Sequence, residues 1–496
     1  MATIRKQSIY SSLFIYAGFA IGALNVMYFF PTFFTPEQFG LTRIIMDVAL
    51  IFATICSAGA LPITFKFSPY YQYHLPKEKN DLMTMILLYT AFCCVLLILV
   101  FPYITPWALR KFGKNSPYLI EYFHYVLPLT ISLVVFAVLE VFTWMIKKTI
   151  VSNFLKEFLF RLLTTLLIVL WIMGIITDFK DFALLYSCLQ YISAAVLVVV
   201  LYKSKVFAFQ FKPSNLTKRL SGIMIKFGSA YFLSAVLNII AKTNDTLIIA
   251  SQSTGGLVDT AIFTIATYLI TVMDVPQRSL ISASILQISE AWKNHDMEKL
   301  DRLYKKTALN LLIFAAGIMG VIIINSSLLL HILGPTYKLL PLLMVILGFS
   351  KLIDLGTGLN SQILQLSKHW KIDLFTNMFF VVISIILNYF LTRKLGIIGT
   401  AIGGLIAIIC YNLIRFIYIK RIYKLQPFTY KNALTIGAAA SLMGLSYLIP
   451  STANIWVDGI IKTGVFALSF AFFIIKFNIS IDLTELYQTL LKKIKR

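Results

Sequence analysis

The chain has 496 residues, of which 59% are apolar or aromatic and 13% are charged, and its mean hydropathy is +0.83. Soluble domains carry about 25% charged residues because their surface must be hydrated, so this composition excludes an ordinary soluble enzyme. The 44 Lys and Arg residues exceed the 21 Asp and Glu residues, which gives a net charge of +23. In a soluble protein that excess would suggest a nucleic-acid partner.

Long apolar segments dominate the chain from its first residues onward. A helix needs ~20 residues to cross about 30 Å of hydrocarbon, and the apolar runs are continuous and rich in Leu and Ile, which favours helices over a barrel of strands. The sequence therefore predicts an all-α polytopic membrane protein with about 14 transmembrane helices. The predicted spans are 8–30, 41–65, 82–103, 118–146, 150–175, 181–202, 223–250, 259–285, 307–330, 339–365, 372–392, 396–419, 432–449 and 457–475.

The cations are distributed unevenly between the two sides of these spans. With the N-terminus inside, 28 of the 44 fall in the N-tail, the inner loops and the C-tail, and only 7 fall in outer loops. Inner loops of membrane proteins are enriched in Lys and Arg, so we expect both termini to be cytoplasmic. The positive charge then faces anionic lipid headgroups, and no nucleic-acid partner is expected.

Two halves of six spans each are indicated by the long polar interruption near the middle of the chain. We predict an N-lobe at 1–205, a cytoplasmic linker at 206–222, a C-lobe at 223–425, and two extra spans with a basic tail at 426–496. A shift of about 214 residues lays Asn25 near Asn238 and Pro62 near Pro276. Parallel repeats of this kind are typical of rocking transporters with a site at the repeat interface.

Four short segments resemble the motifs of a known family. ISIILNYFLTRKLGIIGTAIGGLI (383–406) resembles the motif between the eleventh and twelfth spans of polysaccharide and O-antigen lipid flippases, and PEQFG (36–40) resembles the turn after their first span. GLN (358–360) with KHWK (368–371), and NHDMEKLDRLYKK (294–306), resemble their inner connections. One departure is Arg393 and Lys394, where the family has a Pro-containing apolar turn. These flippases belong to the multidrug/oligosaccharidyl-lipid/polysaccharide (MOP) flippase superfamily.

The resemblance implies a flippase that moves a polyprenyl-pyrophosphate-linked oligosaccharide to the outer leaflet of the bacterial cytoplasmic (inner) membrane by alternating access. It also implies that spans one and seven flank the lobe interface, and that the extra pair of spans borders a groove for the lipid tail. Polymerase or glycosyltransferases of the same pathway are candidate partners. Independently of the resemblance, the glycines at 396, 399, 403 and 404 predict close helix packing, since they remove side chains from one face.

Charged residues inside spans carry the most information about a site, because each costs ~2.5 to 3.5 kcal/mol at mid-membrane unless it is paired or hydrated. Lys242 and Asp245 lie in the polar stretch AKTNDT of span seven, and Lys351 and Asp354 lie near the middle of span ten. Each pair is either a structural i,i+3 ion pair within a lobe or part of a shared cavity. Arg278 follows Pro276 in span eight.

Other candidates lie nearer the span ends. We expect i,i+4 ion pairs between Arg43 and Asp47 and between Glu157 and Arg161. We expect Lys226, Arg415 and Lys462 to extend to the membrane interface. The candidate substrate-binding residues are Arg278, Lys242, Lys351, Arg43, Asn25, Asn238, Asn244 and Tyr16, and the candidate ion-coupling residues, for H⁺ or Na⁺, are Asp245, Asp354 and Asp47. No catalytic residue, metal site or cofactor is expected, because the 5 cysteines and 5 histidines lack ligand spacing.

Two alternatives remain. A drug or small-molecule antiporter of the same superfamily shares the plan, but it would favour an anionic cavity. A membrane polysaccharide polymerase or ligase needs catalytic groups in a large outer loop. The longest outer loop, 104–117, has neither His nor carboxylate.

Overall fold

The computed structural model describes residues 2–57, 59–76, 79–146, 148–204, 209–485 and 488. In these ranges the regular structure is helical, with no strand. Residues 206–208 of the predicted linker and the tail beyond 488 lie outside the described residues. The chain divides into two compact units, Met1–Thr264 and Ile265–Arg496, with the division inside one helix.

The described part of the first unit contains eleven complete α-helices. These are α1 (Ala2–Leu24), α2 (Phe30–Phe33), α3 (Pro36–Ser57), α4 (Ala60–His74), α5 (Leu82–Phe112), α6 (Tyr118–Tyr122), α7 (Val126–Met145), α8 (Thr149–Asn153), α9 (Phe160–Ile172), α10 (Phe179–Lys203) and α11 (Asn215–Gln252). π-Helical turns at Asn25–Phe29 and Phe154–Leu159 join α1 to α2 and α8 to α9.

The helix α12 (Gly256–Thr271) contains the division. In the described part of the second unit a short helical segment lies at 481–485, and nine longer α-helices precede it. These are α13 (Val275–Lys293), α14 (Met297–Ile324), α15 (Ser326–Leu333), α16 (Leu340–Gly356), α17 (Asn360–Gln365), α18 (Trp370–Leu395), α19 (Ile397–Tyr423), α20 (Tyr430–Tyr447) and α21 (Ile455–Lys476). A 3₁₀ turn at Val272–Asp274 precedes Pro276 and separates α12 from α13.

Twelve helices in the described ranges are long and apolar enough to cross a membrane, and all fourteen predicted spans are helical. The protein is therefore an all-α polytopic membrane protein, as predicted. Two predicted spans fall short of that length and composition. The fifth contains the three charged residues Lys156, Glu157 and Arg161, while the thirteenth, α20, is long enough at 18 residues but is too polar, with Lys431 and Asn432 in its first turn.

Polar caps begin several helices and tie the loops to the bundle. Ser214 caps α11 by accepting from the Thr217 backbone N–H, at 3.2 Å. The buried Asp81 carboxylate accepts from the Ser214 backbone N–H at 2.8 Å and from the Thr217 hydroxyl at 2.6 Å. The bonds from the two backbone N–H groups satisfy donors at the helix start that have no partner within the helix. The start of α11 is thereby anchored to the loop before α5.

Two predicted packing glycines contact α18, as expected. A Cβ at Gly399 would lie 2.1 Å from the Leu391 carbonyl oxygen, and one at Gly403 would lie 2.4 Å from Asn388 Oδ1. Gly404 has open space around it. Hence α18 and α19 pack closely through two of the four glycines.

Gly59 forms the junction between α3 and α4. Its φ of +80° is in the left-handed region, and a Cβ there would lie 2.3 Å from the Gly228 carbonyl oxygen of α11. Gly174 has a similar φ of +71°, but a Cβ added there would meet nothing within 4 Å. The two glycines therefore share the backbone constraint but only Gly59 has a close neighbour.

We predict that Gly59→Ala lowers the thermal unfolding midpoint in detergent more than Gly174→Ala does. The left-handed conformation costs each variant about 1 kcal/mol, and overpacking against α11 adds about 1 to 3 kcal/mol at Gly59 alone. Equal midpoints for the two variants would contradict the close contact between the α3–α4 junction and α11.

Candidate functional site

An ion triad lies in the second unit, around Lys351 of α16. Its Nζ is 2.5 Å from Asp274 Oδ1 and 3.1 Å from Asp354 Oδ2. The three side chains are each about one-fifth exposed. The predicted Lys351–Asp354 pair is therefore present, and a second carboxylate from the 3₁₀ turn before Pro276 completes it. One ammonium between two carboxylates leaves the triad with one net negative charge if both are ionised.

Buried amides extend the triad into α19. Asn412 Nδ2 lies 3.4 Å from Asp354 Oδ1, and the Asn412 Oδ1 accepts from Thr357 at 2.9 Å and from Asn360 at 2.8 Å. Asn412, Thr357 and Asn360 are 5% exposed or less. Hydrogen bonds of this kind satisfy polar groups that hydrocarbon cannot hydrate. They hold α16, α17 and α19 together where α16 ends.

In the first unit, Asp47 of α3 is fully buried and paired. Arg43 Nε lies 3.1 Å from Asp47 Oδ2, which confirms the predicted i,i+4 pair, and the Thr246 hydroxyl of α11 donates to the same oxygen at 2.6 Å. The Arg43 side chain is 40% exposed, whereas that of Asp47 is 0% exposed. Asp47 therefore joins α3 to α11, and the Arg43 side chain is the exposed member of the ion pair.

Asn25 of the predicted first span packs between helices. Its Nδ2 donates to the Arg161 backbone oxygen at 3.0 Å, and its Oδ1 accepts from Thr165 at 2.8 Å. The residue is 4% exposed and lies in the π-helical turn after α1. An amide with both its functions bonded to α9 fits interhelical packing. Tyr16, in contrast, is 56% exposed.

A polar stripe runs along α11 within the first unit. Ser234, Asn238 and Lys242 are placed on one helical face by their four-residue spacing, and Lys242 is exposed. Asn238 Nδ2 donates to the Ser234 backbone oxygen, one turn earlier in the same helix, at 2.9 Å. Lys242 has no hydrogen bond or ion pair with any residue that the structure describes, Asp245 included. The predicted Lys242–Asp245 pair is therefore not formed.

Asn244 lies on the other side of the same helix, where it is 8% exposed. Its Nδ2 has no hydrogen-bond partner among the described residues. Asp245 beside it is half-buried.

Arg278 lies in the first turn of α13, after Pro276. The residue is exposed, and within the described ranges its guanidinium forms no ion pair or hydrogen bond. Lys242 in the first unit and Arg278 in the second are thus two candidate cations inside predicted spans that lack a partner among the residues the structure describes. Both contrast with Lys351 and Arg43, whose charges are compensated locally.

Sequence reasoning missed several carboxylate partners from other helices. Lys156 pairs with Glu140 of α7 at 3.0 Å, and Lys351 pairs with Asp274. A carboxylate within a span needs a counter-charge, so Asp274 and Glu140 were detectable as unpaired acids, although their partners were not. The predicted Glu157–Arg161 pair does form, at 3.1 Å.

The expectation that Arg415 and Lys462 extend to the interface was wrong. Arg415 is 0% exposed and is ion-paired with Asp373 of α18, and Lys462 is 7% exposed and lies 2.8 Å from Asp458. Each side chain forms an ion pair within the protein, so its charge is compensated without contact with water at the interface.

An apolar groove of about 640 Å³ lies in the second unit between the end of α12, α14 and α21. Only apolar residues line it, including Leu269 of α12, Phe314 and Ile318 of α14, and Phe466 and Phe470 of α21. α21 is the fourteenth predicted span. A groove with this lining accepts hydrocarbon and offers no hydrogen bond to a sugar or a phosphate.

We predict that Lys351→Met lowers the free energy of unfolding by about 3 kcal/mol, because it leaves two carboxylates close together without their cation. The triple variant Lys351→Met, Asp274→Asn, Asp354→Asn should recover most of this loss, since it removes the uncompensated charges. Unfolding midpoints in detergent measure both effects. A stable single variant, or no recovery in the triple variant, would contradict the ion triad.

Comparison with solved structures places this architecture among membrane transporters. The chain is similar to a lipid II flippase, MurJ, in an inward closed conformation, with a TM-score of 0.67 and 16% identity over 94% of this chain and 98% of that chain. It is also similar to a multidrug resistance MATE family transporter of the MOP superfamily, whose inward-facing conformation gives a TM-score of 0.60 at 17% identity over 88% and 96% of the two chains. The outward-facing conformation of a MATE family transporter gives 0.53 at 15% identity, with the same coverage.

No protein-family model and no curated protein sequence matches the chain. The similar structures are flippases and transporters rather than enzymes, and at 15 to 17% identity they establish the fold alone. The chain shares its fold with these solved structures and is a multi-pass membrane protein.

Proposed function

We propose that the protein is a flippase that moves a polyprenyl-pyrophosphate-linked oligosaccharide from the cytoplasmic to the outer leaflet of the bacterial cytoplasmic membrane. Both termini are cytoplasmic in this proposal, in agreement with the cation bias of the loops. The observation that carries it is the exposure of Lys242 and Arg278, two cations within predicted spans that have no protein partner in the described ranges.

An unpaired cation within a span must be hydrated, because hydrocarbon offers it no compensation. Lys242 lies on the same face of α11 as Ser234 and Asn238. Water that hydrates Lys242 therefore also reaches these two polar side chains, which could bind sugar hydroxyls. We propose that this face of α11 lines an aqueous cavity, and that Arg278 in the second unit is hydrated as well. In such a cavity Lys and Arg would bind a pyrophosphate through charge-assisted hydrogen bonds.

The lipid tail requires a different surface from the headgroup. The apolar groove between α14 and α21 supports the expectation that the extra C-terminal spans border the tail, because its whole lining is apolar. We propose that the polyprenyl chain occupies this groove or the adjoining lipid while the headgroup crosses. The two surfaces together match an amphiphilic substrate, and alternating access of the cavity would carry the headgroup between leaflets.

Ion coupling is proposed to use the carboxylates of the spans. Asp354 and Asp274 both contact Lys351, so the triad has a net negative charge that attracts H⁺ or Na⁺. Asp245 is a second candidate in α11. Asp47 is fully buried and held by Arg43 and Thr246, so we assign it to helix packing rather than to an ion path. Coupling would supply about 2.3 kcal/mol per charge crossing 100 mV.

An antiporter for cationic drugs is the alternative within the same fold. The unpaired charges on which the proposal rests, Lys242 and Arg278, are positive. Positive charges favour an anionic ligand and disfavour an organic cation. A polysaccharide polymerase or ligase is a remote alternative. Polymerase and glycosyltransferases of the same pathway are instead proposed as partners.

We predict that the double variant Lys242→Gln, Arg278→Gln slows flipping of the lipid-linked oligosaccharide at least tenfold, because two charge-assisted contacts of about 1.5 to 3 kcal/mol each are lost. The measurement is the fraction of labelled lipid-linked oligosaccharide accessible to an impermeant enzyme outside proteoliposomes. Lys226→Gln, Arg421→Gln serves as control, since it removes one exposed Lys and one exposed Arg from positions outside the proposed cavity.

Unchanged flipping in the first variant, or equal slowing in the control, would contradict the assignment of these cations. Transport of hydrophobic cations with no transport of the oligosaccharide lipid would favour the antiporter instead.

A second prediction concerns coupling at the triad. Asp354→Asn should abolish any acceleration of flipping by an imposed H⁺ or Na⁺ gradient, because the variant removes the negative charge. The rate of flipping without a gradient should stay within about threefold of the wild type, because the new amide keeps an oxygen that can accept the hydrogen bond from Asn412 Nδ2. Asp458→Asn, which alters a carboxylate near the start of α21, is the matched control. An undiminished gradient response in Asp354→Asn would exclude this carboxylate.

A further inference from the structure

A basic pocket lies in the second unit, apart from the residues assigned to transport. It has a volume of about 400 Å³ and is formed by the start of α14, the start of α20 and the segment after α21. Four cations line it: Arg302, Lys305 and Lys306 of α14, and Lys431 of α20. Three- and four-residue spacing puts Arg302 on the same helical face as Lys305 and Lys306.

Two carboxylates compensate part of this charge. Asp482 lies 2.7 Å from Lys306 Nζ and accepts from Asn310 Nδ2 at 2.8 Å, and Asp301 lies 2.5 Å from Lys305 Nζ. Lys431 Nζ donates to the backbone oxygens of residues 478 and 479, at 2.8 and 3.1 Å. Four cations against two carboxylates leave the pocket with a net charge of +2.

Arg302 is the cation that is free to bind a ligand. It is exposed, and it makes no hydrogen bond or ion pair with the residues that the structure describes. A neighbouring cleft of about 880 Å³ shares Arg302 and Lys305, but Glu298 and Asp301 line it as well. The excess positive charge is therefore concentrated in the smaller pocket.

Apolar and aromatic residues also line the pocket, which lies where spans begin. Leu309 and Ile479 are buried at its floor, while Tyr430 is 73% exposed and Ile481 is 62% exposed. Tyr and apolar side chains at a span end are typical of the membrane interface. A soluble anion would gain nothing from an exposed Tyr and Ile, whereas a lipid would cover both with its glycerol and acyl groups.

We propose that this pocket binds the phosphate headgroup of an anionic phospholipid from the leaflet at this face, which is the cytoplasmic leaflet in the proposed orientation. Arg302 and Lys305 contact the phosphate, and the acyl chains lie against Tyr430 and Ile481. Basic pockets between transmembrane helices on the cytoplasmic side are suited to anionic headgroups. The bound lipid bridges α14 and α20, and so fastens the C-terminal helix pair to the rest of its unit.

The test counts phospholipid bound to the full-length protein by native mass spectrometry, after exchange into micelles containing phosphatidylglycerol or phosphatidylcholine. We expect the wild type to retain phosphatidylglycerol preferentially. Arg302→Gln, Lys305→Gln should weaken this retention about tenfold or more, and Arg302→Lys should keep most of it because it keeps the charge. Arg393→Gln, Lys394→Gln removes two exposed charges at the end of α18 and should have no effect.

Equal retention by the wild type and Arg302→Gln, Lys305→Gln would overturn the proposal. So would displacement of phosphatidylglycerol by inorganic phosphate, since it would indicate a site for a soluble anion, and so would equal retention of phosphatidylcholine. Unfolding midpoints measured in micelles with phosphatidylcholine alone establish that each variant folds. No oligosaccharide lipid is present, so the outcome is independent of the flippase proposal.

Discussion

An ionised side chain inside a membrane span must have either a counter-charge or water, and this constraint organises the whole structure. The energetic cost of ~2.5 to 3.5 kcal/mol per unassisted charge at mid-membrane is a substantial fraction of the net stability of a protein, which is about 5 to 15 kcal/mol. Asp47, Arg415 and Lys351 meet the constraint through partners on the same or neighbouring helices. Because those bonds join helices, charge compensation and helix packing are one feature of this fold.

The same constraint separates packing residues from residues available to a substrate. Lys351, with two carboxylates around it, resembles a fixed internal cation, whereas Lys242 and Arg278 have no such partner in the described part of the chain. Exposed cations without a partner among the described residues, together with an apolar groove beside α21, suit an amphiphile that is anionic at its head. The fold shared with transporters suits such a cavity, and the charges specify the class of ligand that we propose for it.

Sequence reasoning recovered what depends on local spacing. The fourteen helical segments, the Arg43–Asp47, Glu157–Arg161 and Lys351–Asp354 pairs, and the close packing at Gly399 and Gly403 all follow from residues within one helix or adjacent helices. Bonds between distant segments could not be predicted, since Lys351–Asp274 and Arg415–Asp373 depend on how helices pack. The burial of Arg415 shows the limit: depth in a span did not reveal that a carboxylate on α18 would face it.

The central claim, that the polar face of α11 and Arg278 are hydrated, is tested most directly by labelling. In a variant without its five native cysteines, single cysteines at Asn238, Lys242 and Arg278 would be treated with a charged, water-soluble thiol reagent, with a cysteine at Leu99, 64% exposed on α5, as the lipid-facing reference. We expect rapid labelling at the first three positions and slow labelling at Leu99. Labelling of positions 242 and 278 as slow as that at Leu99 would contradict it.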